Sequence, residues 1–157
     1  MSKIIFHIDV NSAFLSWTAV EKLKNGFDVD IREIPSIIGG DEASRHGIVL
    51  AKSVSAKKYG VVTGEPVASA LRKCANLVME PPNHHMYREY SRQLMDYFKT
   101  YTPDIEQLSV DECCLDYTPI AHLYGEPVVF AHRLKDEVKE KLDYPVIKNI
   151  RELMDLL

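Results

Sequence analysis

Hydrophobic and polar positions alternate between two rhythms along this chain. Ile4 to Val10 is a near-continuous apolar run, the pattern of a strand covered on both faces, interrupted by His7 and Asp9. Phe14, Leu15, Val20 and Leu23 then fall at helical spacing; Asn11-Ser12 is placed to cap that helix and Asn25-Gly26 to stop it. A stretch of different character follows. Val29 to Ile34 and Ser36 to Ile38 read as short strands, with turns at Gly39-Gly40-Asp41 and His46-Gly47, and Ile48 to Ala51 as another strand. Val54 to Tyr59 reads as a short helix, and Pro66 opens a further one reaching about Cys74. Leu77-Val78-Met79 is a short strand closed by Pro81-Pro82. Asn83 caps a long helix to Tyr101, with Tyr87, Tyr90, Leu94, Tyr97, Phe98 and Tyr101 on one face.

The second half holds the most informative break in the pattern. Ile105 to Val110 and Cys113 to Tyr117 read as the strands of a tight hairpin, with Asp111-Glu112 at its tip. Pro127 opens a helix whose inner face carries Ala131, Leu134, Val138 and Leu142. Tyr144-Pro145-Val146 is too short for a strand. Ile150, Leu153, Met154 and Leu157 then repeat at helical spacing, which predicts a helix from Ile147 to Leu157. The expected fold is α+β: a ferredoxin-like (split βαβ) sheet lacking its last strand, with a small α/β subdomain inserted after the first helix. The missing strand would leave the edge beside Asp9 open.

Carboxylates drawn toward a core are costly unless paired or holding a metal. If the runs ending at Asp9 and around Asp111-Glu112 lie side by side, these side chains converge. Hard oxygen donors at a strand end suit Mg²⁺. His7 reads as an ordinary satisfied histidine. His84 and His85, neighbours on a helix, point apart and make no metal site.

Composition changes the picture little. The chain has 157 residues, 46% hydrophobic and 27% charged, with a net charge of −4, which suits one globular core carrying a subdomain. The charge is uneven: between Ala43 and Val78 lie Arg45, Lys52, Lys57, Lys58, Arg72 and Lys73 against the single acid Glu65. Such a surface meets anions, or is simply solvated. Cys74, Cys113 and Cys114 form neither a disulfide framework nor a zinc spacing, which fits a reducing cytoplasmic setting. No apolar run approaches the length that spans a membrane.

Three motifs carry a resemblance. Ile8-Asp9-Val10-Asn11-Ser12-Ala13-Phe14 resembles the first motif of the Y-family (translesion, UmuC-like) DNA polymerases. Ala51 to Val61 resembles their fingers helix, and Ser109-Val110-Asp111-Glu112 their catalytic hairpin. The resemblance covers Lys3 to about Leu142. It implies a palm at 1–28 and 77–146, fingers at 29–76, and a C-terminal helix at 147–157 as a remnant of the thumb. It implies template-directed DNA synthesis across damage, with Asp9, Asp111, Glu112 and the Val10 carbonyl holding two Mg²⁺ ions, for which Mn²⁺ substitutes. It implies that Ser12, Ala13 and Phe14, with Ser53 and Lys57 of the fingers, bind the dNTP, Phe14 excluding the ribose 2′-hydroxyl by shape. Primer–template DNA would be the partner, and a processivity clamp would bind through parts absent here. Val54 and Lys57 stand where the family commonly has Tyr and Arg, so the triphosphate loses a hydroxyl donor and a bidentate fork. The other reading of the incomplete pattern is a non-catalytic truncated relative that binds DNA or a repair partner.

Overall fold

The structure, a computed structural model, describes residues 2–40, 47–144 and 146–153, the last stretch by its backbone alone. In chain order the elements are β1 (Lys3–Val10), α1 (Ala13–Lys24), β2 (Ser36–Gly39), β3 (Val49–Lys52), α2 (Val54–Lys58), α3 (Val67–Lys73) and β4 (Val78–Glu80). There follow α4 (His84–Lys99), β5 (Ile105–Gln107), β6 (Glu112–Asp116), a 3₁₀ turn (Thr118–Ile120), α5 (Ala121–Tyr124), α6 (Pro127–Leu142) and β7 (Val146–Leu153). The chain divides into two compact units: one comprises the segment up to Asn11 and everything from Arg88 on, the other Ser12 to Tyr87.

The first unit is a four-stranded sheet in the order β5-β6-β1-β7, every neighbour antiparallel. That is the split βαβ arrangement. The last strand expected to be missing is present. β7 pairs with β1 along its whole length, from Lys3 opposite Leu153 to Val10 opposite Val146. The edge beside Asp9 is therefore covered, and the helix expected over 147–157 is corrected to strand as far as Leu153; Met154 to Leu157, like Pro145, lie outside the described residues. The sequence was ambiguous. Ile147, Ile150 and Leu153 fit a helix, while Val146-Ile147 and Ile150 supply β-branched residues that suit a strand without clean alternation. A row of unpaired N–H and C=O groups along β1 decides in favour of a strand.

β1 also differs from a strand buried on both faces. Phe6, Ile8 and Val10 are buried, while His7 and Asp9 are only half-buried. In β6, Cys113 and Leu115 are likewise buried, with Glu112, Cys114 and Asp116 partly open. The sheet thus has one core face and one partly open face, and the alternation sets which side chains reach each. Helices cover the core face. Phe130 of α6 stacks against Tyr117 at 5.1 Å and meets Tyr101 edge-on at 5.3 Å, and Phe6 stacks on Tyr117 at 4.7 Å. Phe130, Ala131, Leu134 and Val138 form the buried face of α6, close to the stripe expected. Its first turn is capped by the Glu126 carboxylate, which accepts from the Val128 and Val129 N–H groups.

The second unit is built on a three-stranded sheet, β3-β2-β4, with β2 antiparallel to β3 and parallel to β4. Its centre, β2, is buried on both faces. Ile37 packs with Val49, Ala56, Val61 and Ala70, and Ile38 with Leu15, Ala19, Ile31 and Ala51. The strand expected over Val29–Ile34 is not formed. Asp30 instead organises a turn: its Oδ1 accepts from the Arg32 N–H and its carbonyl from the Glu33 N–H. Gly47 lies so close to Gly40 that a Cβ would stand 2.3 Å from the Gly40 Cα, so only glycine fits there. The turn residues Asp41 and His46, and the basic Arg45, lie outside the described residues. Asn83 caps α4 as expected, its Oδ1 accepting from the Met86 N–H.

Candidate active site

The β1–β6 register creates the acidic site in the first unit. Asp9 sits directly opposite Glu112, and His7 opposite Cys114. Directly opposed residues of an antiparallel pair share a face, so Asp9, Glu112, His7 and Cys114 all lie on the partly open one. Asp111 lies one residue before β6, in the bend. Its carbonyl accepts from the Val10 N–H at 3.0 Å, which ties the bend to the end of β1. The bend is closed by Leu108 and Ser109, whose N–H groups both reach the Glu112 carbonyl. This break in the strand resolves the geometric problem of adjacent carboxylates: in a straight strand Asp111 and Glu112 would face opposite ways.

Electrostatics show the crowding. Burial, then the Asp111 and Glu112 charges, push the Asp9 carboxyl above its ordinary range, while His7 pulls it back. Ser109 Oγ donates to Asp111 Oδ1 at 2.9 Å, and His7 Nε2 bonds Glu112 Oε1. These carboxylates, all oxygen and all acidic, are donors of the type a hard divalent cation takes. Among the described residues, though, no group of three or more His, Cys, Asp or Glu side chains is gathered as a ready cation cage. Each of the two bonds just named engages one oxygen only, Asp111 Oδ1 and Glu112 Oε1.

Sequence reasoning passed over His7. The signal that finds it is its position two residues before Asp9, which puts both on one face of a strand. Cys113, by contrast, is buried on the core face, its thiol pushed up to about 12 by burial, then by Cys114 and Glu112, and is inert at neutral pH.

The remaining candidates belong to the second unit. Ser12 stands at the N-cap of α1 in the left-handed region (φ 44°), so the strand-to-helix turn is tight; its side chain makes no capping bond, contrary to expectation. Its hydroxyl instead donates to the Lys52 carbonyl at 3.3 Å. Ala13 is buried. Phe14 is half-buried at the margin of the core around Leu15, its ring stacked on Tyr87 at 4.3 Å and 7°, with His84 edge-on at 5.8 Å. The Tyr87 hydroxyl is itself within 3.3 Å of Thr18 Oγ1. Ser53 is buried, and its hydroxyl is committed to Ile34, Ser36 and the cap of α2. Lys57 and Val54 are exposed on α2. Lys73 bonds Glu65 and the Gly60 carbonyl, and Lys52 bonds Thr63, so only part of the basic stretch is free.

Solved structures share this fold. The insertion ternary complex of Dbh DNA polymerase superposes with a TM-score of 0.78 at 20% identity, over 94% of this chain and 42% of that one. DinB from Sulfolobus solfataricus gives 0.78 at 22%. The architecture is that of the catalytic region of Y-family DNA polymerases. The model of the impB/mucB/samB family matches residues 8–148, and the chain belongs to that family. Its curated relatives carry the name DNA polymerase IV. That of Clostridium acetobutylicum is 57% identical over 147 residues, 93% of this chain and 37% of the relative; that of Salmonella typhimurium is 36% identical over 142 residues, 90% and 38%. The chain therefore spans little more than a third of the length of these relatives.

Proposed function

We propose that this chain is the catalytic portion of a translesion DNA polymerase, joining a deoxynucleotide to a primer 3′ end opposite a template base. The observation that carries the proposal is the opposition of Asp9 and Glu112 on the open face, with Asp111 tied to the end of β1. In this reading Asp9, Asp111, Glu112 and the Val10 carbonyl hold divalent cations, Mg²⁺ with Mn²⁺ as substitute. Two such ions would activate the primer hydroxyl and stabilise the charge on the triphosphate and its leaving group. Asp9 and Asp111 would supply most of the negative charge that holds the cations. Glu112 would add a third carboxylate through Oε2, the oxygen that the His7 bond leaves open.

In the second unit, the N–H groups of Ser12, Ala13 and Phe14 begin a 12-residue helix and suit a phosphate. Phe14 would reject a 2′-hydroxyl with the exposed side of its ring, the other side being backed by Tyr87. Lys57 supplies charge to the triphosphate, and Ser53 acts through the turn that it builds. Among the described residues no helix is long and apolar enough to cross a membrane.

Titration of the chain with a dNTP in the presence and absence of Mg²⁺ or Mn²⁺ tests the reading. Metal-linked binding is expected, weakened at least ~10-fold in Asp9→Ala or Asp111→Ala. No metal-linked signal from the wild-type chain would overturn it. The exposed cations Lys57, Lys58 and Arg72 favour a second reading, a non-catalytic DNA-binding relative. Primer extension by this chain alone would eliminate that alternative.

A further inference from the structure

Three acidic side chains lie near one another at the end of β1, and among the described residues few polar side chains bond them. Ser109 serves Asp111, and His7 serves Glu112. Among the described residues, His7 is the one group there whose charge draws the Asp9 carboxyl back down. Its side chain is 24% exposed and that of Glu112 31%, so the contact is shielded from water on most of its surface. Both residues are placed by backbone register. His7 lies two positions before Asp9 in β1, and Glu112 lies opposite Asp9 in β6, so the imidazole reaches diagonally across the ladder. A carboxylate can only accept, so Nε2 carries the hydrogen. The bond engages Oε1 and leaves Oε2 of Glu112 uncommitted.

We propose that His7 is a positioning residue for Glu112, holding its carboxylate by one oxygen so that the other is presented to a divalent cation bound by Asp9 and Asp111. This rests on the metal-binding reading given above. Glutamate has three rotatable bonds and faces two like charges, which drive it away from the site. A donor on the same sheet face opposes that drive before any cation arrives. Metal-ligating side chains are commonly held this way by outer partners, whose loss weakens metal binding. The role is distinct from ligation: His7 touches the ligand, not the ion.

The test uses the full chain without nucleotide or DNA. Free Mn²⁺ is followed by electron paramagnetic resonance in wild type, His7→Ala, His7→Phe and His7→Gln, with folding checked by circular dichroism. His7→Phe keeps a ring without a donor, and His7→Gln restores a donor at a similar reach. His7→Ala and His7→Phe are expected to bind Mn²⁺ at least about tenfold more weakly, and His7→Gln within about threefold of wild type. A second readout needs no metal: Glu112→Gln is expected to shift the His7 ring nitrogen resonances in the metal-free protein. Equal Mn²⁺ affinity in wild type, His7→Ala and His7→Phe overturns the positioning role and leaves the metal site standing. Unchanged His7 resonances in Glu112→Gln overturn the contact itself. Failure of wild type and Asp9→Ala alike to hold Mn²⁺ removes the metal site, and this role with it.

Discussion

Two glutamates of the same unit, on different sides of the sheet, have opposite surroundings. Glu137, on α6 over the core face, accepts hydrogen bonds from the Tyr97 and Tyr101 hydroxyls and from Arg133 Nε. Burial pushes its carboxyl up, but these donors outweigh burial and hold it at about 2. Glu112, on the open face, has His7 as its one side-chain partner among the described residues and lies beside two other carboxylates. The first is a satisfied charge that ties α4 to α6. The second is crowded by like charges, an arrangement that a cation would relieve under the proposed function. A carboxylate's role follows from the balance of donors and like charges around it, which its residue type does not reveal.

The comparison can be broken by mutation. The largest effect on stability is expected from Glu137→Ala, which takes the acceptor from the half-buried Tyr97 and Tyr101 hydroxyls: a loss of about 1–3 kcal/mol in urea unfolding. Acid should act through the same group. The Glu137 pKa is lowered from 4.5 to about 2, so the unfolded chain binds the proton first. Stability from this carboxylate is fully present above pH 4.5 and falls as pH drops towards 2, by on the order of 1–3 kcal/mol, and Glu137→Gln should flatten that part of the profile. Asp9→Asn should do the reverse of Glu137→Ala. It relieves repulsion and is expected to raise metal-free stability by about 0.5–1 kcal/mol while abolishing metal-linked dNTP binding. Destabilisation of the size seen for Glu137→Ala would mean that Asp9 is a structural carboxylate after all, and the contrast between the two faces would fail.

A parallel contrast holds for the aromatic residues. Tyr97 and Phe98 are neighbours on α4, yet Phe98 is fully buried, while Tyr97 is half-buried with its hydroxyl on Glu137. Burial, then the Glu137 bond, raises the Tyr97 hydroxyl well above its ordinary value, so it remains a donor at any pH the protein meets. The helical stripe read from the sequence identified the packing face. It did not identify the hydroxyl's partner, which lies 40 positions on in the chain.

Local chemistry was legible wherever short-range rules decide the outcome. The Asn83 cap, the Pro127 helix start, the strand at Val49–Lys52 and the break of pattern at Asp111-Glu112 all follow from residues within a few positions of each other. Failures came where two local patterns competed. Val29 to Ile34 alternates well enough for a strand, yet the Asp30 side chain captured the backbone into a turn. Ser12 has the chemistry of a cap, but its left-handed backbone turns the hydroxyl towards Lys52.

The amino-acid order alone determined that carboxylates would stand at the end of the first strand and at a hairpin bend, because turn chemistry and apolar periodicity are properties of neighbouring residues. It also determined which helices have an inner face. Tertiary structure decided the rest. β7 is a strand because β1 offered an unpaired edge, and Asp9 meets Glu112 because the ladder aligned them in that register. His7 acquired a partner by the same alignment. A shift of one residue would send each side chain to the opposite face, and only pairing between distant segments sets that choice.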